Sequence, residues 1–185
     1  MNHKYTEKNL CELINATMQS VGMNVPLKQD NSGVNMSYNF IGDYVGFDAE
    51  RLIKAKEEMQ KTISLELYIK TITMHELGHA IDRKALLATL DRTMEIFDAK
   101  RNHSLYELYN SVDLLSMIIE EHEMNIIFEE TAWENAQKLN QEFQVVDEEC
   151  FEAIKKYSLG TYREIYQEDL YLYEKLVAEH AIQIA

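Results

Sequence analysis

His75 and His79 stand four residues apart in the run His75-Glu76-Leu77-Gly78-His79. A helix repeats every 3.6 residues, so this spacing stacks two imidazoles on one face, where they can share a zinc ion. Glu76 then leans beside the metal instead of ligating it, placed to take a proton from a zinc-activated water. The expected chemistry is hydrolysis, with His75 and His79 as metal ligands and Glu76 as the catalytic base. It requires a helix at this point. From Ser64 to Asp82 there is no Pro and a single Gly, and apolar residues at 65, 69, 72 and 77 keep helical spacing. Asp82, three residues after His79 on the histidine face, is expected to orient a ligand imidazole.

A catalytic zinc takes three protein ligands and leaves one position open, so a third donor must come from another element. A long helical pattern between Ser104 and Phe143 offers one. Leu115, Ile118, His122, Asn125, Glu129, Ala132, Ala136, Leu139 and Phe143 fall on one stripe, apolar at its ends and polar in its middle. Burying His122, Asn125 and Glu129 costs a few kcal/mol each unless partners satisfy them, and a metal with its surroundings would do so. Ala132 and Ala136 permit a close approach to the motif helix. Glu129 is therefore the expected third ligand; Glu130 is its nearest rival, on a face carrying Ile126, Trp133 and Glu134, with Glu123 and Glu121 behind.

The run His75-Glu76-Leu77-Gly78-His79-Ala80-Ile81-Asp82, followed by Glu129-Glu130-Thr131-Ala132-Trp133, resembles the gluzincin metallopeptidases, whose third ligand is a Glu on a downstream helix. It is similar to the small minigluzincin and ImmA/IrrE-type peptidases, and the first segment is also like that of the anthrax lethal factor catalytic domain. The resemblance implies a zincin-like fold with an active-site helix and a glutamate helix. Residue by residue it implies His75, His79 and Glu129 as Zn2+ ligands, Glu76 as general base, and a protein or peptide as substrate. The chain departs from the metzincin pattern, having no Gly at 82 and no His at 85, and from thermolysin-like enzymes in placing Trp133 where they carry an Asp. An oxyanion also needs a donor. His122, two turns before Glu129, is the catalytic candidate for it, in competition with Tyr106, Tyr109, Tyr162 and Tyr166.

The elements that must position these groups are mostly helical. Tyr5 to Gly22 reads as an amphipathic helix. Val34 to Phe40 alternates as a strand, and after the turn at Ile41-Gly42-Asp43, Tyr44 to Phe47 reads as the returning strand of a hairpin and its edge. That edge could pair with an extended substrate. Asp48 is expected to cap a helix over 49–61, and the motif helix to run over 62–84. Helices follow over 86–100 and from Ser104, where Glu107 completes a capping box, to Phe143, with a kink near Asn110-Ser111. Two more are expected over 147–157 and from Thr161, separated by a stop at Gly160. The expected fold class is mainly α with a small β-hairpin or short sheet (α+β), in one domain over residues 1–185.

A formal net charge of -14 argues against a direct role on nucleic acid, since phosphate binding needs a basic surface. Cys11 and Cys150 are far apart and read as reduced thiols. No apolar run reaches the roughly 18 residues of a membrane helix, and the first eight residues carry no signal-peptide core, so a cytoplasmic location without a membrane partner is expected. His3, His103 and His180 stand alone and read as surface residues. A different class of function is a helical binding or regulatory module with a structural or vestigial zinc site; Glu76 argues against it, because such a site needs no base.

Overall fold

The computed structural model describes residues 6–59 and 62–184. Expectations at His3, Tyr5 and Lys61 lie outside the described residues. The chain divides into two compact units, one comprising Glu130–Tyr157 and the residues up to Arg83, the other Lys84–Glu129 and the residues from Ser158 onward.

In the first unit, α1 (Glu7–Ser20) starts at a capping box on Thr6 and Asn9, and its buried stripe is Leu10, Ile14, Thr17 and Met18. Gly22 follows at φ +69°, the left-handed conformation expected of a glycine just past a helix. Three strands form a sheet in the order β1 (Leu27–Gln29), β3 (Tyr44–Phe47), β2 (Met36–Asn39). β2 and β3 are the expected antiparallel hairpin, with Tyr38 opposite Val45 and Met36 opposite Phe47. β1 lies parallel on the other side of β3, placing Leu27 opposite Val45. Tyr44–Phe47 is therefore central, not the edge its sequence suggested. The added strand is three residues long, and two of them, Lys28 and Gln29, are exposed, so no alternation marks it.

Asp48 caps α2 (Ala49–Glu58), accepting from the Arg51 N–H at 3.0 Å and from the Gly33 N–H at 3.0 Å. α3 (Leu65–Ile81) carries the histidine motif; Ser64 caps its start and Asp82 ends it, a few residues inside the expected bounds at each end. It packs against α1, α2 and β2. The remaining parts of this unit come from the C-terminal half of α7 (Val112–Phe143) and the first turns of α8 (Glu148–Ile184).

The second unit is helical. After α4 (Arg83–Ala88) come α5 (Leu90–Asn102) and α6 (Leu105–Asn110), the latter starting at the Ser104–Glu107 capping box. The backbone turns extended at Ser111, which makes the expected kink a full break between α6 and α7. Arg92 pairs with Glu120 and Lys100 with Glu121, tying α5 to α7. Leu108, Leu115 and Ile118 form a buried cluster beneath Tyr109, Leu114, Tyr173 and Leu176.

α8 corrects a second expectation. It passes without interruption through Gly160, where the sequence suggested a stop. A Cβ at Gly160 would meet nothing within 4 Å, so this glycine serves neither a left-handed cap nor a close approach. Among the described residues, no helix is long and apolar enough to cross a membrane. The protein is thus mainly helical with a small mixed sheet, an α+β arrangement.

Candidate metal centre

α3 is buried on nearly every side, from Tyr68 and Ile69 through Thr71 to Gly78. Such a helix must dispose of its polar groups locally. Thr71 and Thr73 do so by donating their hydroxyls to the carbonyls of Leu67 and Ile69 at 2.8 and 2.7 Å. His75 and Glu76 are each only 5% exposed. Burial of two ionisable groups side by side sets this turn apart from the rest of α3.

The helix α7 reaches this turn through small residues. A Cβ at Gly78 would lie 2.1 Å from the carbonyl oxygen of Ala132, so the backbones meet at a distance that only glycine allows. Asn135, one turn further on, donates its side-chain amide to the Gly78 carbonyl at 3.2 Å. Ala132, Trp133 and Ala136 are fully buried. Glu129 stands one turn before Ala132 on the same face and is itself buried.

This arrangement brings His75, His79 and Glu129 together: one potential ligand atom from each lies within 4.8 Å of the others. Donors at about 2.1 Å around one tetrahedral zinc stand roughly 3.4 Å apart, so small side-chain rotations close the difference. Two imidazoles and one carboxylate, with a further position left open, suit zinc. Glu129, and not Glu130, is the carboxylate in this group. No other such group of His, Cys, Asp or Glu occurs among the described residues.

Rings frame His75. The Trp133 indole lies nearly parallel to His75 (23°), with centroids 4.4 Å apart. His79 meets the same imidazole edge-on at 4.7 Å, and Phe151 meets the indole edge-on at 5.6 Å. Trp133, which the sequence assigns to the face of Glu130, thus borders the histidine turn. Its position one residue after Ala132 was the signal that it borders the same turn.

Other expected site residues lie elsewhere. His122 is two turns, about 10 Å of helix rise, before Glu129. Its Nε2 is 2.8 Å from Asp169 Oδ2, which also accepts the Tyr109 hydroxyl at 3.1 Å. Burial first, then the Asp169 charge, pushes the Tyr109 phenol up. The Tyr166 hydroxyl donates to Glu123 at 3.0 Å, while Tyr106 and Tyr162 are exposed. Asn125, expected on the buried stripe, is exposed. Asp82 ends α3 through its backbone N–H, and its carboxylate meets no partner among the described residues.

No family model, curated protein or solved structure matches the chain.

Proposed function

We propose that this protein is a zinc-dependent metallopeptidase of the gluzincin type. The reading rests on one observation: His75, His79 and Glu129 converge from two helices next to a buried Glu76. His75, His79 and Glu129 would hold the ion. When bound there, zinc supplies Lewis acidity, which polarises a scissile carbonyl and makes water acidic enough to lose a proton near neutrality. Glu76 accepts that proton on its carboxylate and returns it to the departing amine. Burial of this turn keeps bulk water from competing for the same proton. The substrate is a protein or peptide, and the cell compartment is the cytoplasm.

A structural zinc site would need the three ligands but no neighbouring base, and the presence of Glu76 favours catalysis over a binding module. The test is to load purified protein with zinc and screen a peptide library, alongside Glu76→Gln. Cleavage by the wild type that is lost in Glu76→Gln, at equal zinc content, supports the peptidase. Cleavage retained by the variant overturns the role of Glu76. One tightly held zinc with no cleavage across the library favours the structural reading.

A further inference from the structure

Trp133 does more than fill the core beside the site. It is the only tryptophan of the chain, fully buried, and its indole is stacked on His75 instead of on an aliphatic neighbour. Its Nε1 finds no hydrogen-bond acceptor among the described residues. A buried N–H without an acceptor is a cost that Phe at the same position would not carry. What the indole offers over phenyl is a larger and more electron-rich face.

That face is directed at a specific group. Two rings contact His75: Trp133 stacks on the imidazole plane, and the His79 ring meets it in an edge arrangement. Phe151 in turn braces the indole from its edge. An imidazole that binds a cation becomes electron-poor, and an indole face stacked on it then attracts it more strongly than before. The stack also removes the ring rotation that a free histidine loses on binding metal. Ligating histidines are commonly oriented by a hydrogen-bonded carboxylate. Here the stacked indole adds to that orientation.

We infer that Trp133 is a positioning residue for the metal, which fixes the His75 imidazole by stacking and raises the affinity of the His75/His79/Glu129 site for a divalent cation. This rests on the metal-site reading of the preceding section, but not on proteolysis. The same placement makes Trp133 an internal reporter, because all indole emission of the chain comes from a ring 4.4 Å from a ligand.

The experiment is a metal titration of apo-protein, with indole emission and chelator competition as readouts. Co2+, which quenches a nearby indole through its unfilled d shell, should quench wild-type emission and saturate at one equivalent, and Glu129→Ala should abolish that response. Zinc affinity, measured by competition, should fall about tenfold to a hundredfold in Trp133→Leu and less in Trp133→Phe, which keeps a ring. Circular dichroism shows whether each variant folds; if Trp133→Leu does not, Trp133→Phe and the wild-type quenching carry the test. One zinc per chain with equal affinity in wild type and folded Trp133 variants would overturn the positioning role while leaving the metal site standing. No metal bound by wild type, with emission unchanged by Co2+, would overturn the site and this inference together.

Discussion

Gly78 and Ala132 are in backbone contact: a Cβ built on the glycine would fall 2.1 Å from the alanine carbonyl oxygen. The obstacle is main chain, so no side-chain rotation can relieve it. Gly78→Ala must therefore push α7 away from α3 and with it Glu129, one turn from Ala132. Over-packing of this kind costs about 1–3 kcal/mol. A lowered Tm together with a loss of bound zinc is expected, measured by thermal melts and elemental analysis. An unchanged Tm would mean that the two helices part without cost.

Glu129 and Glu130 are adjacent, and only Glu129 joins the two histidines. Zinc per chain in wild type, Glu129→Ala and Glu130→Ala, purified side by side, separates them. One zinc should be present in wild type and Glu130→Ala and absent in Glu129→Ala. Loss in Glu130→Ala alone would require α7 to be rotated by about 100° from the arrangement described, the angle between consecutive helix residues.

Glu76→Gln removes the proposed proton acceptor while nearly preserving shape. General-base catalysis contributes about 10²- to 10⁴-fold, so cleavage of an identified peptide should fall by that factor with zinc content unchanged. A loss of zinc in the same variant would instead assign Glu76 to holding the metal.

The Asp48 carboxylate is held below its ordinary value first by the Arg51 N–H, then by the Gly33 N–H. A carboxylate with a depressed folded-state pKa stabilises the protein above its unfolded value, near 3.8, and that stabilisation is lost as the pH falls through the folded value. Asp48→Ala should cost about 1 kcal/mol near neutral pH, as the loss of a helix cap does. In denaturant melts the gap between the two proteins should narrow as the pH falls from 3.8 through the lower folded value, because the wild-type cap is then progressively protonated. A gap independent of pH would show that the charge of the carboxylate does not matter.

How far these features can be read from sequence depends on how many residues carry the signal. The motif helix, the caps at Asp48 and Ser104 and the β2–β3 hairpin each rest on local chemistry or periodicity, and they appear as expected. β1 is too short for alternation to register. Gly160 shows the converse: a glycine suggests a helix end, but its cost of about 1 kcal/mol is one that the long continuous helix α8 absorbs. On α7 the stripe is buried at Leu115, Ile118, Glu129, Ala132 and Ala136 but not at Asn125 or Phe143, which are exposed. Trp133 escaped because its partner, His75, is 58 positions away and no pattern within α7 points to it.

His122 and Tyr109 meet on one oxygen of Asp169, a carboxylate only 8% exposed that joins three helices of the second unit. Asp169→Ala leaves both side chains without their acceptor, and an unsatisfied buried polar group costs about 1–3 kcal/mol. The expected result is a lower Tm with zinc content unchanged. The same geometry bears on whether His122 donates to an oxyanion: its Nε2 is already engaged 2.8 Å from Asp169, about 10 Å of helix rise from Glu129. His122→Gln should therefore lower Tm and leave kcat/KM within a few-fold of wild type, once a cleavable peptide is in hand. A fall in kcat of a hundredfold or more at unchanged Tm would restore His122 to the reaction and require the Asp169 contact to open when substrate binds.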